Sequence, residues 1–305
     1  YHTPMFKAYI TLLSGYLGWG LFPLYWQLLA HVSPLEVTMH RIIWSVPLLA
    51  LLVHFNARRR REFSTCLQSA PQLKLLVFTA ILITINWGVY VWAVANNQVI
   101  EASMGYFLTP LLNIAAGVLL FKEHLGRLRW LAIVIATLGV FYYILSLGTL
   151  PWVALTVGLS FSAYGILRKK TDTGPIVGLY IETLMIAPFA LALVAYLHQQ
   201  HSALFLNVGG LTDLWLILGG LVTVIPLALF TTGARSLPMT SVGILFFITP
   251  SMQFIMGALV LGEALNTHKF IAFIIIWSAL ILYSISLLRS KPAHRPADAP
   301  LSAAD

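Results

Sequence analysis

The chain has 305 residues, 59% of them hydrophobic and only 9% charged, with a mean hydropathy of +0.86. Soluble domains carry about 25% charged residues, so this composition excludes an ordinary water-soluble enzyme and points to lipid as the main solvent. The net charge of +8 does not imply nucleic acid, because the bases lie in short clusters between apolar runs, as juxtamembrane anchors do.

Backbone in lipid must satisfy its own hydrogen bonds, and continuous apolar runs call for helices where alternating ones would call for a barrel. The length accommodates about ten spans of roughly 20 residues each. The sequence predicts them at 6–29, 35–54, 73–95, 99–121, 127–146, 150–167, 176–197, 213–233, 239–261 and 268–288. The first apolar run, from Phe6, is long enough to remain as a span, and no cleavable signal is expected. Pro34, Pro151, Pro175 and Pro238 fall near span starts, where a missing N–H is tolerated. Pro23, Pro47, Pro110, Pro188, Pro226 and Pro250 fall inside spans, where they free carbonyls and bend helices. Residues 198–213 form the longest outer loop, and the Pro- and Ala-rich tail 291–305 reads as disordered and cytoplasmic.

Every Lys and Arg except Arg41, inside a span, and Lys269 falls on one side of the membrane in this scheme. That bias predicts both termini in the cytoplasm.

One stretch occurs twice. Thr109-Pro110, Gly117, Leu119, Glu123 and Leu125 return 140 positions later as Thr249-Pro250, Gly257, Leu259, Glu263 and Leu265. Ala132 and Tyr143 likewise match Ala272 and Tyr283. Self-similarity at a fixed spacing in an apolar chain is the mark of a transporter built from two halves, 1–147 and 148–290. With five spans in each, the halves must lie upside down relative to each other. The charges agree, since Lys122-Glu123-His124 opens a basic loop and Gly262-Glu263-Ala264 one nearly free of bases.

Ionisable residues inside spans are costly and usually face a cavity or a partner. Arg41 in span 2 and Glu182 in span 7 are related by an offset of 141, shared by Pro34/Pro175 and Pro47/Pro188. Each is expected to mark one mouth of a common cavity or, alternatively, to snorkel to its own interface. His40 could carry a proton or simply pack through a hydrogen bond. Glu101, at the outer start of span 4, suits the positive end of that helix, with proton or substrate binding as the second reading. Glu123 and Glu263 read as structural ties to loops. Trp19, Trp44, Trp87, Tyr90 and Tyr106, with Asn86 and Asn113, would suit a cavity for a partly aromatic, partly polar solute, or else pack between helices.

There is no Gly-rich phosphate loop and no His-Glu-x-x-His, and the lone Cys66 permits neither an internal disulfide nor a cysteine metal site. No cofactor, metal or catalytic residue is therefore expected. An intramembrane enzyme would need clustered carboxylates or histidines, and here they are scattered over separate spans.

His40-Arg41-Ile42-Ile43-Trp44-Ser45, Asn86-Trp87, Trp92-Ala93-Val94 and the run Glu101 to Phe107 with Pro110-Leu111 and Asn113 resemble signatures of the RarD family. Tyr164-Gly165 before Arg168-Lys169-Lys170, and Glu182-Thr183 with Pro188, carry the resemblance into the second half. Met104 stands where Leu is expected, a conservative departure. RarD proteins are EamA-type members of the drug/metabolite transporter superfamily, often labelled chloramphenicol-sensitive. The resemblance implies a bacterial inner-membrane carrier of two inverted five-helix repeats around a central cavity, to which Tyr164 would also contribute. Its relatives move amino acids, other metabolites and aromatic drugs. Alternating access would then bend spans 4 and 9 at Pro110 and Pro250, with Glu182, Glu101 or His40 exchanging a proton. Spans 5 and 10 would be peripheral and available for a homodimer. A passive channel is the alternative.

Overall fold

A computed structural model describes residues 3–121, 126–234, 237 and 245–289. Every regular element among them is helical: α1 (Thr3–Gly20), α2 (Phe22–Gln27), α3 (Pro34–His54), α4 (Ala57–Leu67), α5 (Ala70–Ala95), α6 (Val99–Phe121), α7 (Arg127–Leu147), α8 (Trp152–Arg168), α9 (Pro175–Gln199), α10 (Gly210–Ala234), α11 (Ile248–Ile255, continued by a π-helical turn Met256–Val260) and α12 (Thr267–Arg289). Six are long and apolar enough to cross a bilayer: α3, α5, α7, α9, α10 and α12. The shorter apolar helices α8 and α11 with its π turn lie among them.

Two features depart from the predicted spans. The first span is not one helix: it stops at Gly20 and restarts at Phe22, with Pro23 in the opening turn of α2. There a ring without an N–H costs nothing, whereas deep in a helix it would remove a hydrogen bond. The arginine-rich loop also contains a helix, α4. Asn56 caps it, accepting the Arg59 amide on its side chain at 3.1 Å. Lys122, Glu123, His124, Arg235, Pro238 and the tail from 290 lie outside the described residues. Pro47, Pro188 and Pro226 do sit within α3, α9 and α10.

The helices pack in definite pairs. α7 runs against α12, α6 against α8, α1 against α10, and α3 lies between α9 and α10. α5 packs on α8 and α9, while α11 bridges α1 and α6. Glycines allow the closest approaches. A methyl group on Gly105 would lie 2.5 Å from the Ala154 carbonyl oxygen, and one on Gly220 would lie 2.5 Å from that of Trp44. α7 and α12 turn apolar rows outward, Leu138, Phe141 and Leu145 on one and Phe270, Ile274 and Ile281 on the other, as lipid-facing helices do.

Candidate functional site

α3 places Arg41 in the middle of the bundle, where it is only 3% exposed. Its Nε donates to Thr223 Oγ1 of α10 at 2.8 Å, and Thr223 in turn donates to the Gly219 carbonyl. Three rings surround the guanidinium, with centroids 4.1 Å (Trp87), 5.0 Å (Trp26) and 5.5 Å (Phe22) away. Arg41 therefore points inward and does not snorkel. One of its terminal nitrogens, NH1, has no hydrogen-bond partner among the described residues.

Beside it Asn86 is buried. It donates to the Val157 carbonyl at 3.0 Å and to Ser160 Oγ at 3.1 Å, and it accepts from Tyr106 at 3.1 Å. The Tyr90 ring lies 5.8 Å from that of Tyr106, tilted by 52°. Trp19 packs instead on Tyr16 and Phe230, and its carbonyl accepts from Gln253 at 3.0 Å. One turn from His40, Trp44 donates through Nε1 to His40 Nδ1 at 3.2 Å, and Phe205 of the loop before α10 covers the imidazole at 4.3 Å. Pro250 is buried in α11. The side chains of Pro110 and Asn113 lie outside the described residues.

Glu182 of α9 does not meet Arg41. Its carboxylate accepts from Thr79 Oγ1 at 2.6 Å and from the Tyr164 hydroxyl at 3.2 Å, and it pairs with Arg168 Nε at 3.6 Å. Arg168 also holds Thr173 Oγ1 and the Gly174 carbonyl, both at 3.1 Å, at the start of α9. Glu62 of α4 accepts the Gly174 amide, and Gln72 pairs with Asp172. The basic end of the bundle is thus tied shut. At the other end Glu36 accepts the Leu204 and Phe205 amides, each at 2.9 Å. Between these ties the crevice lined by Ile42, Ile83, Trp87, Glu182 and Ile186 has no room for a water molecule.

Two acids act on helices other than their own. Glu101 is in the first turn of α6 but accepts the Val153 amide of α8 at 3.2 Å. The start of α6 is capped by Glu263, whose two oxygens accept the Val99 and Ile100 amides at 2.6 and 2.8 Å. Burial raises the Glu263 carboxyl above its ordinary value, against the opposing pull of those amides and of Lys269. Residues that sequence reasoning passed over are Thr223, Trp26 and Phe22 around Arg41, Arg168 and Thr79 around Glu182, and Glu36. The only local signal was Glu36, an acid just inside a helix that starts with Pro34.

The helices define a multi-pass, all-helical membrane protein with a polar, charged centre. The EamA-like transporter family profile matches the chain twice, over residues 6–145 and 150–285. An uncharacterized transporter of Vibrio cholerae serotype O1 is 37% identical over 292 residues, covering 95% of this chain and 96% of that protein. Protein RarD of Escherichia coli (strain K12) is 34% identical over 291 residues, covering 93% and 96%. A solved crystal structure shares the fold with a TM-score of 0.59 at 15% identity, over 93% of this chain and 99% of that one. The chain belongs to the EamA-like transporter family.

Proposed function

We propose that this protein is a secondary transporter of small amphipathic metabolites or drugs in the bacterial inner membrane, with both termini cytoplasmic. It works by alternating access between two inverted five-helix halves, 1–147 and 148–290. The observation that carries the reading is the packing pattern. Number the spans 1 (α1 with α2), 2 (α3), 3 (α5), 4 (α6), 5 (α7), 6 (α8), 7 (α9), 8 (α10), 9 (α11) and 10 (α12). Exchanging each span with the one five places away turns α6–α8 into α11–α1, α1–α10 into α8–α5, and α3–α10 into α9–α5. The pairs α3–α9, α6–α11 and α7–α12 turn into themselves. Every main contact has its counterpart, as two-fold related halves require, and the twice-matching family profile supports the same division.

The interior residues from Trp19 to Glu182 would line the chamber when one end opens. Opening the basic end requires release of the Arg168–Glu182 and Glu62–Gly174 ties, and opening the other requires release of Glu36. Glu182 is the strongest candidate for proton exchange, since protonation would free Arg168. His40 is second, and Glu101 third because its carboxylate already serves α8. Pro110 and Pro250 act as hinges, and the outward rows of α7 and α12 offer a homodimer surface. Cargo is an amino-acid-like metabolite or aromatic drug, phenicols included.

Counterflow in proteoliposomes tests this. Unlabelled solute on one side should accelerate passage of labelled solute from the other, with saturation. Flux that is unsaturable and indifferent to solute on the far side would replace the carrier by a channel. No flux for any amphipathic metabolite or phenicol would remove transport altogether.

A further inference from the structure

The environment of Arg41 is unusual for a cation in the middle of a membrane protein. Among the described residues no carboxylate pairs with it: of the buried acids, Glu182 is engaged by Arg168, Thr79 and Tyr164, Glu36 by the Leu204 and Phe205 amides, and Glu263 by the Val99 and Ile100 amides. The rings of Trp87, Trp26 and Phe22 offset part of the cost of burying the charge, and Thr223 accepts one N–H. Three donors of this region have no hydrogen-bond partner among the described residues: Arg41 NH1, the indole N–H of Trp26, whose ring centroid lies 5.0 Å from the guanidinium, and the hydroxyl of Tyr90, on residues 3%, 1% and 2% exposed. Arginine and tryptophan can only donate, and tyrosine can. Buried donors, one of them charged, that lack an acceptor are complementary to an anion, and ring walls suit a flat apolar body attached to it.

We propose that, when one end of the bundle opens, Arg41, with the Trp26 indole N–H and the Tyr90 hydroxyl, binds the carboxylate of an aromatic monocarboxylic acid, whose ring lies against Trp87 and the neighbouring aromatic side chains. The assignment names the cargo class of the transporter reading above and rests on it. The carboxylate supplies the charge that the protein does not, and Thr223 holds the guanidinium in register. Neutral amides and cationic amines of the same skeleton lack that charge and bind more weakly, the amines because of repulsion as well.

The test uses the full chain purified in detergent, with indole-3-propionate, indole-3-propionamide and tryptamine as probes, read by melting temperature and by quenching of tryptophan fluorescence. A ligand bound only by the folded protein raises its melting temperature. The acid should bind saturably, and the amide and amine at least tenfold more weakly. Arg41→Gln should abolish the preference for the acid, Arg41→Lys should weaken binding while keeping the preference, and Thr223→Val should do the same without removing charge. Should Arg41→Gln fail to fold, the probe series on the wild type and on Thr223→Val still decides. Equal binding of acid and amide, an Arg41→Gln variant that still prefers the acid, or no saturable binding of the acid would overturn the assignment. Binding of the acid without counterflow would remove the transport reading alone, and counterflow of neutral solutes indifferent to Arg41→Gln would remove this assignment alone.

Discussion

Glu263 and Val99 come from opposite halves of the sequence, yet Glu263 Oε1 accepts the Val99 amide at 2.6 Å while Oε2 accepts that of Ile100 at 2.8 Å. A carboxylate at the amino end of α6 meets the positive end of the helix dipole and satisfies two amides that have no partner within the helix. Glu101, next along the same first turn, repeats the device on α8 through Val153. Two acids thus join three helices at the end of the bundle away from the arginine-rich loop.

Removing the first tie should destabilise the protein. Glu263→Ala leaves two amides unpaired and should cost about 2–3 kcal/mol, Glu263→Gln less, because its carbonyl oxygen still accepts. Thermal unfolding in detergent checks the order. The pH dependence has a defined sign. Folding raises this carboxyl above its ordinary 4.5, so its protonated form contributes stability that is complete below that value and is lost as pH rises through the raised one. Relative to Glu263→Gln, the wild-type melting temperature should therefore fall across that interval.

Arg168 and Glu182 are a buried pair, 11% and 1% exposed in their side chains, with 3.6 Å between Nε and Oε1. Arg168→Ala strands a buried carboxylate and should cost about 3 kcal/mol. The double change Arg168→Ala/Glu182→Gln should cost less than the sum of the two single ones, because the second change removes the stranded charge. Additive losses in a double-mutant cycle would mean that the pair is not coupled.

Gly158 faces the backbone of α6. A methyl group there would sit 2.8 Å from the Gly105 carbonyl oxygen, whereas at Gly165, two turns further along α8, nothing among the described residues lies within 4 Å. Gly158→Ala should destabilise by about 1–3 kcal/mol as α6 and α8 separate. Gly165→Ala should be neutral or slightly stabilising, since alanine favours the helix. Melting temperatures of the two variants distinguish steric contact from general loss of glycine flexibility.

The helices were largely legible because a span must be long and apolar whatever it packs against. Arg41 and Glu182 were legible for the complementary reason, the cost of a charge in lipid. α4 was hidden by its own composition, as Arg58 to Arg61 lack the apolar periodicity that marks a helix. The break at Leu21 was hidden because Pro23 reads the same in a bent helix as at a helix start. Partners were the least accessible. Thr223 is 182 residues from Arg41, and nothing local to either position indicates the other. Glu101 was assigned to the dipole of its own helix, and only the packing of α6 against α8 redirects it to Val153.

The central claim is that the two ends of the bundle open in turn around one interior site. Spin labels can test it on a Cys66→Ser background, one pair replacing Gln72 and Asp172 at the basic end and another replacing Leu35 and Leu206 beside the Glu36 tie. Electron–electron distance measurements on each pair, at several pH values and with indole-3-propionate, report the populations at both ends. The account predicts opposite responses, so that conditions widening the Gln72–Asp172 separation narrow the Leu35–Leu206 one. Separations that widen together, or that never change, would contradict it.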